Sequence, residues 1–190
     1  MKRKGFLHCF RLTCFLLALL CFSVRGSQGE ALTVGSQLPH FTLPAPESEQ
    51  ARTYLGLKTM EPFALAAVNA KVILVEFMSA TCTHCLANAP IINRLYRVIE
   101  RDPALAKEVK IIGVALGGDK KQTAAFKKTT KTVFPIFTDE KLDIAAAVDI
   151  LQTPTIVLVS RNGKTLASHV GEINDFDGFL KTLREVTKKQ

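Results

Sequence analysis

The chain has 190 residues, 47% of them hydrophobic and 22% charged, a composition that fits one ordinary globular domain able to bury a core without staples. Its net charge of +8 is uneven: Lys2, Arg3, Lys4, Arg11 and Arg25 all precede the first acidic residue, Glu30, and removing those five leaves 20 basic against 17 acidic residues, a net +3. No basic face with interleaved aromatics remains, so the pattern that nucleic-acid binding needs is absent.

In chain order, the first element is a leader over residues 1–29. A basic start at Lys2 to Lys4 runs into the apolar stretch Phe15 to Phe22, then into small and polar residues from Ser23 to Gly29. This is the three-part pattern of a secretory signal, and the apolar run is short for a spanning helix. No clean Ala-x-Ala site follows, so the leader reads either as a cleaved signal peptide or as an uncleaved N-terminal membrane anchor. Both readings place the rest of the chain outside the cytoplasm. Cys9, Cys14 and Cys21 fall within the leader, which leaves Cys82 and Cys85 as an isolated pair. A disulfide across so small a loop adds little chain-entropy stabilisation, so the pair is better explained by chemistry than by stapling.

Residues Leu32 to Ala51, rich in Pro, Gly and polar residues, read as a hairpin-like lead-in around Phe41-Thr42-Leu43. Leu55 to Ala70 reads as loop with one helical turn at Phe63 to Ala67. Val72 to Met78 is a nearly continuous apolar run, as expected of a central strand covered on both faces. From Thr83 to Glu100 apolar residues recur at helical spacing, with Pro90 expected to kink the helix. A second buried strand spans Val109 to Leu116, followed by a helix over Thr123 to Thr130 and a strand over Val133 to Phe137. A short helix over Leu142 to Val148 precedes a strand over Thr155 to Val159. Asn162-Gly163 turns that strand into Thr165 to Val170, and a last helix covers Phe176 to Val186. The expected architecture is an α/β fold with a central mixed β-sheet flanked by helices.

The chemistry concentrates in Thr81-Cys82-Thr83-His84-Cys85, where the central strand hands over to a helix. The three-residue offset puts both sulfurs on one helical face, close enough to bridge. Cys82 would sit at the helix N-terminus, where unpaired amides and the macrodipole favour an anion. Such sites lower a thiol pKa from about 8.5 to roughly 3.5–7.5. Cys82 is therefore the expected nucleophile and Cys85 the resolving thiol. A cationic or donor His84 between them would stabilise the thiolate; the plainer alternative is an exposed residue that tunes nothing.

Further features carry a resemblance. Pro90 falls five residues after Cys85, Thr153-Pro154-Thr155 looks like a cis-proline strand start, and Asn162-Gly163 with Val170-Gly171 follows as a closing hairpin. Val34 to Leu43 is similar to the opening of the TlpA/ResA-like and redoxin branch. Over about residues 33 to 188 the chain thus resembles the thioredoxin superfamily in its TlpA/ResA-like form, and the domain is taken as residues 33–190. That resemblance implies a thioredoxin-like domain with thiol–disulfide oxidoreductase activity, more of a reductase than an oxidase, and no cofactor. It implies disulfide- or dithiol-containing exported proteins as partners, a membrane thiol electron donor, and a monomer. Cytochrome c maturation is one such duty. It further gives Glu76, six residues before Cys82, the role of a buried acid that takes the proton of the resolving thiol. The alternative is a Glu76 that faces solvent or pairs with a lysine. Thr153, Pro154 and Thr81 become substrate-contacting positions, with Thr81 where many relatives carry tryptophan.

Two other readings share the fold. A peroxiredoxin wants Pro-x-x-x-Thr-x-x-Cys, whereas Phe77, Thr81 and His84 occupy those positions here. A Sco-like copper chaperone uses two cysteines and a distant histidine, for which His169 or His40 could serve, but it spaces its cysteines one residue further apart. Structural zinc finds too few ligands, and covalent haem would need histidine where Leu86 stands.

Overall fold

The computed structural model describes residues 32–150 and 152–190; the leader read over residues 1–29, with Cys9, Cys14 and Cys21, lies outside them. The elements are β1 (Thr42–Leu43), α1 (Glu49–Leu55), β2 (Phe63–Ala64), a 3-10 turn at Leu65–Ala67, β3 (Val72–Met78), α2 (Thr83–Arg101), α3 (Pro103–Glu108), β4 (Val109–Leu116), α4 (Lys120–Thr130), β5 (Ile136–Asp139), α5 (Asp143–Ala147), β6 (Thr155–Ser160), β7 (Thr165–Val170) and α6 (Phe176–Lys188). Five strands form one sheet in the order β5-β4-β3-β6-β7. β3 pairs parallel to β4 and antiparallel to β6, which makes the sheet mixed and puts β3 at its centre.

All seven residues of β3 are buried, as the unbroken apolar run requires. Alternation along the strand splits them between two cores. Ile73, Val75 and Phe77 pack with Leu38, Leu43, Leu55 and Phe63 of the N-terminal region and with Ile144 of α5. Val72, Leu74 and Met78 pack with Ala89, Ile92, Leu95 and Ile99 of α2 and with Leu183 of α6. Glu76 shares the second face, beneath α2.

Three elements differ from the sequence expectation. The hairpin-like extension is an antiparallel pair, Thr42 opposite Ala64 and Leu43 opposite Phe63, but α1 is inserted between its strands. Ser48 caps that helix by accepting from the Ala51 amide, and Gly56 ends it at φ 65°. Asp102 and Pro103 start a further short helix, α3, which periodicity did not reveal. The strand expected over Val133 to Phe137 begins at Ile136, because Pro135 has no amide to donate and Val133 is exposed. Helix α2 runs continuously through Pro90. Among the described residues no helix is long and apolar enough to cross a membrane.

Candidate active site

β3 ends at Met78, the chain turns through Ser79 to Thr81, and Cys82 becomes the N-cap of α2. Opposite it, β6 begins after a cis peptide bond between Thr153 and Pro154. The Cys82 thiol lies 3.4 Å from the Thr153 carbonyl oxygen, to which it donates. Pro154 is buried, and its carbonyl accepts from the Gly171 amide at 2.8 Å, which closes the rim. Cys85, one turn into α2, is fully buried; its sulfur accepts from the Ser79 amide at 3.4 Å. Both cysteines are free thiols.

The two thiols have opposite surroundings. Partial burial pushes Cys82 up, but the Thr153 side chain, the Cys85 amide and side chain and the His84 amide outweigh it, and the net pKa lies below an ordinary thiol. These amides are the unpaired donors of a helix start. Burial pushes the Cys85 thiol up to about 12, with the neighbouring Cys82 sulfur adding to the rise. One sulfur is therefore half-exposed and more acidic than an ordinary thiol, and the other is buried and protonated. That is a nucleophile beside a resolving thiol, an arrangement able to exchange a disulfide through a mixed-disulfide intermediate.

Glu76 is only 3% exposed, and burial raises its carboxyl from 4.5 to about 7, against the opposing hydrogen bond from Asn88. The reading that turns Glu76 to solvent or pairs it with a lysine is therefore corrected: strand alternation points it into the core. His84 is outward, its Nδ1 2.7 Å from Glu172 Oε1, and that hydrogen bond and charge raise its pKa. Thr81 is exposed on the rim, its hydroxyl 3.3 Å from that of Ser79.

The structure thus gathers Cys82, Cys85, Thr153 and Pro154 into one cluster, with His84 and Thr81 at its edge, while Glu76 lies on β3 and is tied to α2 through Asn88. His169 and His40 do not join the thiols. His169 Nε2 is engaged 2.9 Å from the Glu172 carbonyl, and His40 lines a hollow with Leu38, Phe41 and Asn162 beside the far end of β6. Among the described residues no group of three or more His, Cys, Asp or Glu side chains gathers as metal ligands would.

Two residues of the site escaped the sequence reading. Asn88 donates from Nδ2 to Glu76 Oε1 at 3.0 Å and accepts on Oδ1 from the Ile173 amide at 3.1 Å. Its signal was a polar residue on the apolar stripe of α2, one position from Ala89. Glu172, which holds His84, had no comparable signal, being 88 residues from its partner.

Comparison with known proteins agrees with this geometry. The Redoxin family model matches residues 33–183. The thiol-disulfide oxidoreductase ResA of Geobacillus thermodenitrificans is 26% identical over 152 residues, 78% of each chain. A candidate DsbE thiol:disulfide interchange protein from Chlorobium tepidum superposes with a TM-score of 0.65 at 21% identity, covering 82% of this chain and 99% of that one. A secreted Mycobacterium tuberculosis disulfide oxidoreductase homologous to E. coli DsbE superposes with a TM-score of 0.57 at 18% identity, over 76% and 95% of the two chains. At these identities the structural likeness is one of fold, whereas the family match spans most of the sequence. The chain belongs to the Redoxin family, as a TlpA/ResA-like member of the thioredoxin superfamily.

Proposed function

We propose that this chain is an exported protein-disulfide reductase that works through the Cys82–Cys85 pair. The observation that carries the direction is Glu76, a carboxyl buried beneath the helix that carries Cys85 and held there by Asn88, which suits it to receive the resolving thiol's proton when the reduced pair attacks a substrate disulfide.

In the proposed cycle, the Cys82 thiolate attacks a substrate disulfide, forming a mixed disulfide and expelling one substrate thiolate. Glu76 takes the proton of Cys85. The Cys85 thiolate then attacks the Cys82 sulfur, closing the Cys82–Cys85 disulfide and releasing the second substrate thiolate. Two electrons have passed to the substrate, and an external dithiol, proposed to be membrane-bound, returns them. Thr153, Pro154 and Thr81 form the substrate-contacting rim. The basic, then apolar, leader supports export, and exported disulfide proteins, including those of cytochrome c maturation, are the proposed clients.

One observation favours the oxidant direction instead. His84, paired with Glu172, keeps its proton to higher pH and stands beside the Cys82 thiolate.

The test of the activity is reduction of a model protein disulfide by the dithiol form. Wild type should catalyse it, Cys82→Ser should abolish it, and Cys85→Ser should accumulate the mixed disulfide on Cys82. Trapping through Cys85 in the Cys82→Ser protein at wild-type rate would overturn the assignment of roles.

A further inference from the structure

Asn88 is fully buried in α2, and both ends of its amide are occupied. The Ile173 amide, which is a donor only, fixes the side-chain oxygen on itself and leaves Nδ2 for the carboxylate of Glu76. The orientation of Asn88 is therefore set from the turn between β7 and α6, not by Glu76.

Glu76 sits in a row that crosses the sheet. Strand register places Gly113 on one side of it and Ile156 on the other, with Ile136 beyond Gly113 and His169 beyond Ile156. The titratable groups on the elements around that row are Cys85 in α2, with Cys82 and the outward-turned His84 at that helix's start, His169 opposite Ile156 on β7, and Glu172 in the following turn. His169 Nε2 is already held by the Glu172 carbonyl, and Glu172 by His84. Among the described residues Asn88 is the hydrogen-bond donor to Glu76. A donor to a carboxylate favours its ionised form, and in a site this dry it is the counterweight to burial.

We propose that Asn88 is a positioning residue for the resolving half-reaction: it clamps Glu76 and keeps its carboxylate available to receive the Cys85 proton. The inference rests on the role given to Glu76 above. Proton and electron balance are simple. The Cys85 S–H proton moves to the Glu76 carboxylate, and the Cys85 sulfur bonds to Cys82. The Cys82–substrate bond breaks, and the substrate leaves as a thiolate. Without the Asn88 donor the Glu76 pKa rises further, so less of the carboxylate is ionised to take that proton at neutral pH. The same turn holds the rim through Gly171 and His84 through Glu172, so one short segment supports both the exposed and the buried side of the thiol pair.

The experiment isolates the second step. Ellman's reagent, in one equivalent, leaves a mixed disulfide on Cys82, and release of the second coloured thiolate reports attack by Cys85 as a function of pH. In Asn88→Leu the acid limb of that step should move up by at least one pH unit, slowing release about tenfold at neutral pH. Asn88→Asp keeps the acceptor for Ile173 but loses the donor, and should shift the limb the same way; it preserves the test if the leucine variant does not fold. Alkylation of Cys82 against pH should stay as in wild type in both variants. An unmoved acid limb, or an equal shift in the alkylation of Cys82, overturns the inference. Glu76→Gln separates the two layers of argument. It should erase the acid limb. If it does while the Asn88 variants change nothing, only the role of Asn88 falls; if the limb survives it, the role of Glu76 falls as well.

Discussion

Glu76 is a carboxylic acid placed where water cannot reach it, and this has a thermodynamic consequence apart from catalysis. Its folded pKa, about 7, lies above the ordinary 4.5, so the native state binds the proton more tightly than the unfolded chain does. The stability this confers is complete below pH 4.5 and is lost as pH rises to 7, a change of about 3 kcal/mol at 1.36 kcal/mol per pKa unit. Glu76→Gln removes that dependence. Relative to wild type, it should gain about 3 kcal/mol between pH 4 and pH 8 in urea titrations. Equal pH dependence of the two proteins would show that Glu76 ionises freely. For His84 the sign is the same but the setting is not. Its raised pKa comes from Glu172 at an exposed site, so its pairing persists as pH rises through the ordinary imidazole range and then fades. At this scale the cysteines were legible from their spacing, and Glu76 and the proline at 154 from the resemblance that gave them their places. Asn88 and Glu172 were not, because their meaning depends on partners brought together only by folding.

Helix α2 is the element on which the chemistry depends. Its first turn supplies the amides that favour a Cys82 thiolate, and its buried stripe carries Cys85, Asn88, Ala89 and Ile92 against the sheet. The strand before it and the helix itself could be read from sequence because their hydrophobic periods are clear. Helix α1 could not. It lies among Pro39, Pro44 and Pro46, it is seven residues long, and of its residues only Leu55 is buried. Its signature was in its ends, Ser48 as cap with Glu49 in the first turn and Gly56 beyond the last. Gly56 tests that reading. It adopts φ 65°, and a Cβ there would stand 2.6 Å from the Cβ of Asn69. Gly56→Ala should therefore cost about 1–3 kcal/mol, seen as a lower urea midpoint. An unchanged midpoint would mean that this helix end is not fixed as described.

Across the whole molecule, two cores on opposite faces of one sheet divide the labour. The N-terminal extension closes the face carrying Ile73, Val75 and Phe77, while α2 and α6 close the face carrying Glu76 and the thiols. The fold class and most of the sheet followed from alternating strands and helices, since long buried strands leave little choice of partner. What the alternation could not convey was the side-to-side row that sets Glu76 between Gly113 and Ile156, which is a matter of register. The central claim is that this fold sets the Cys82–Cys85 pair as a reducing couple. Its most direct test is the equilibrium of that pair with a thiol redox buffer. A reversible two-electron couple near the thioredoxin value of about −270 mV is predicted; a couple near about −120 mV, as in strong oxidants, or no reversible couple at all, would contradict it.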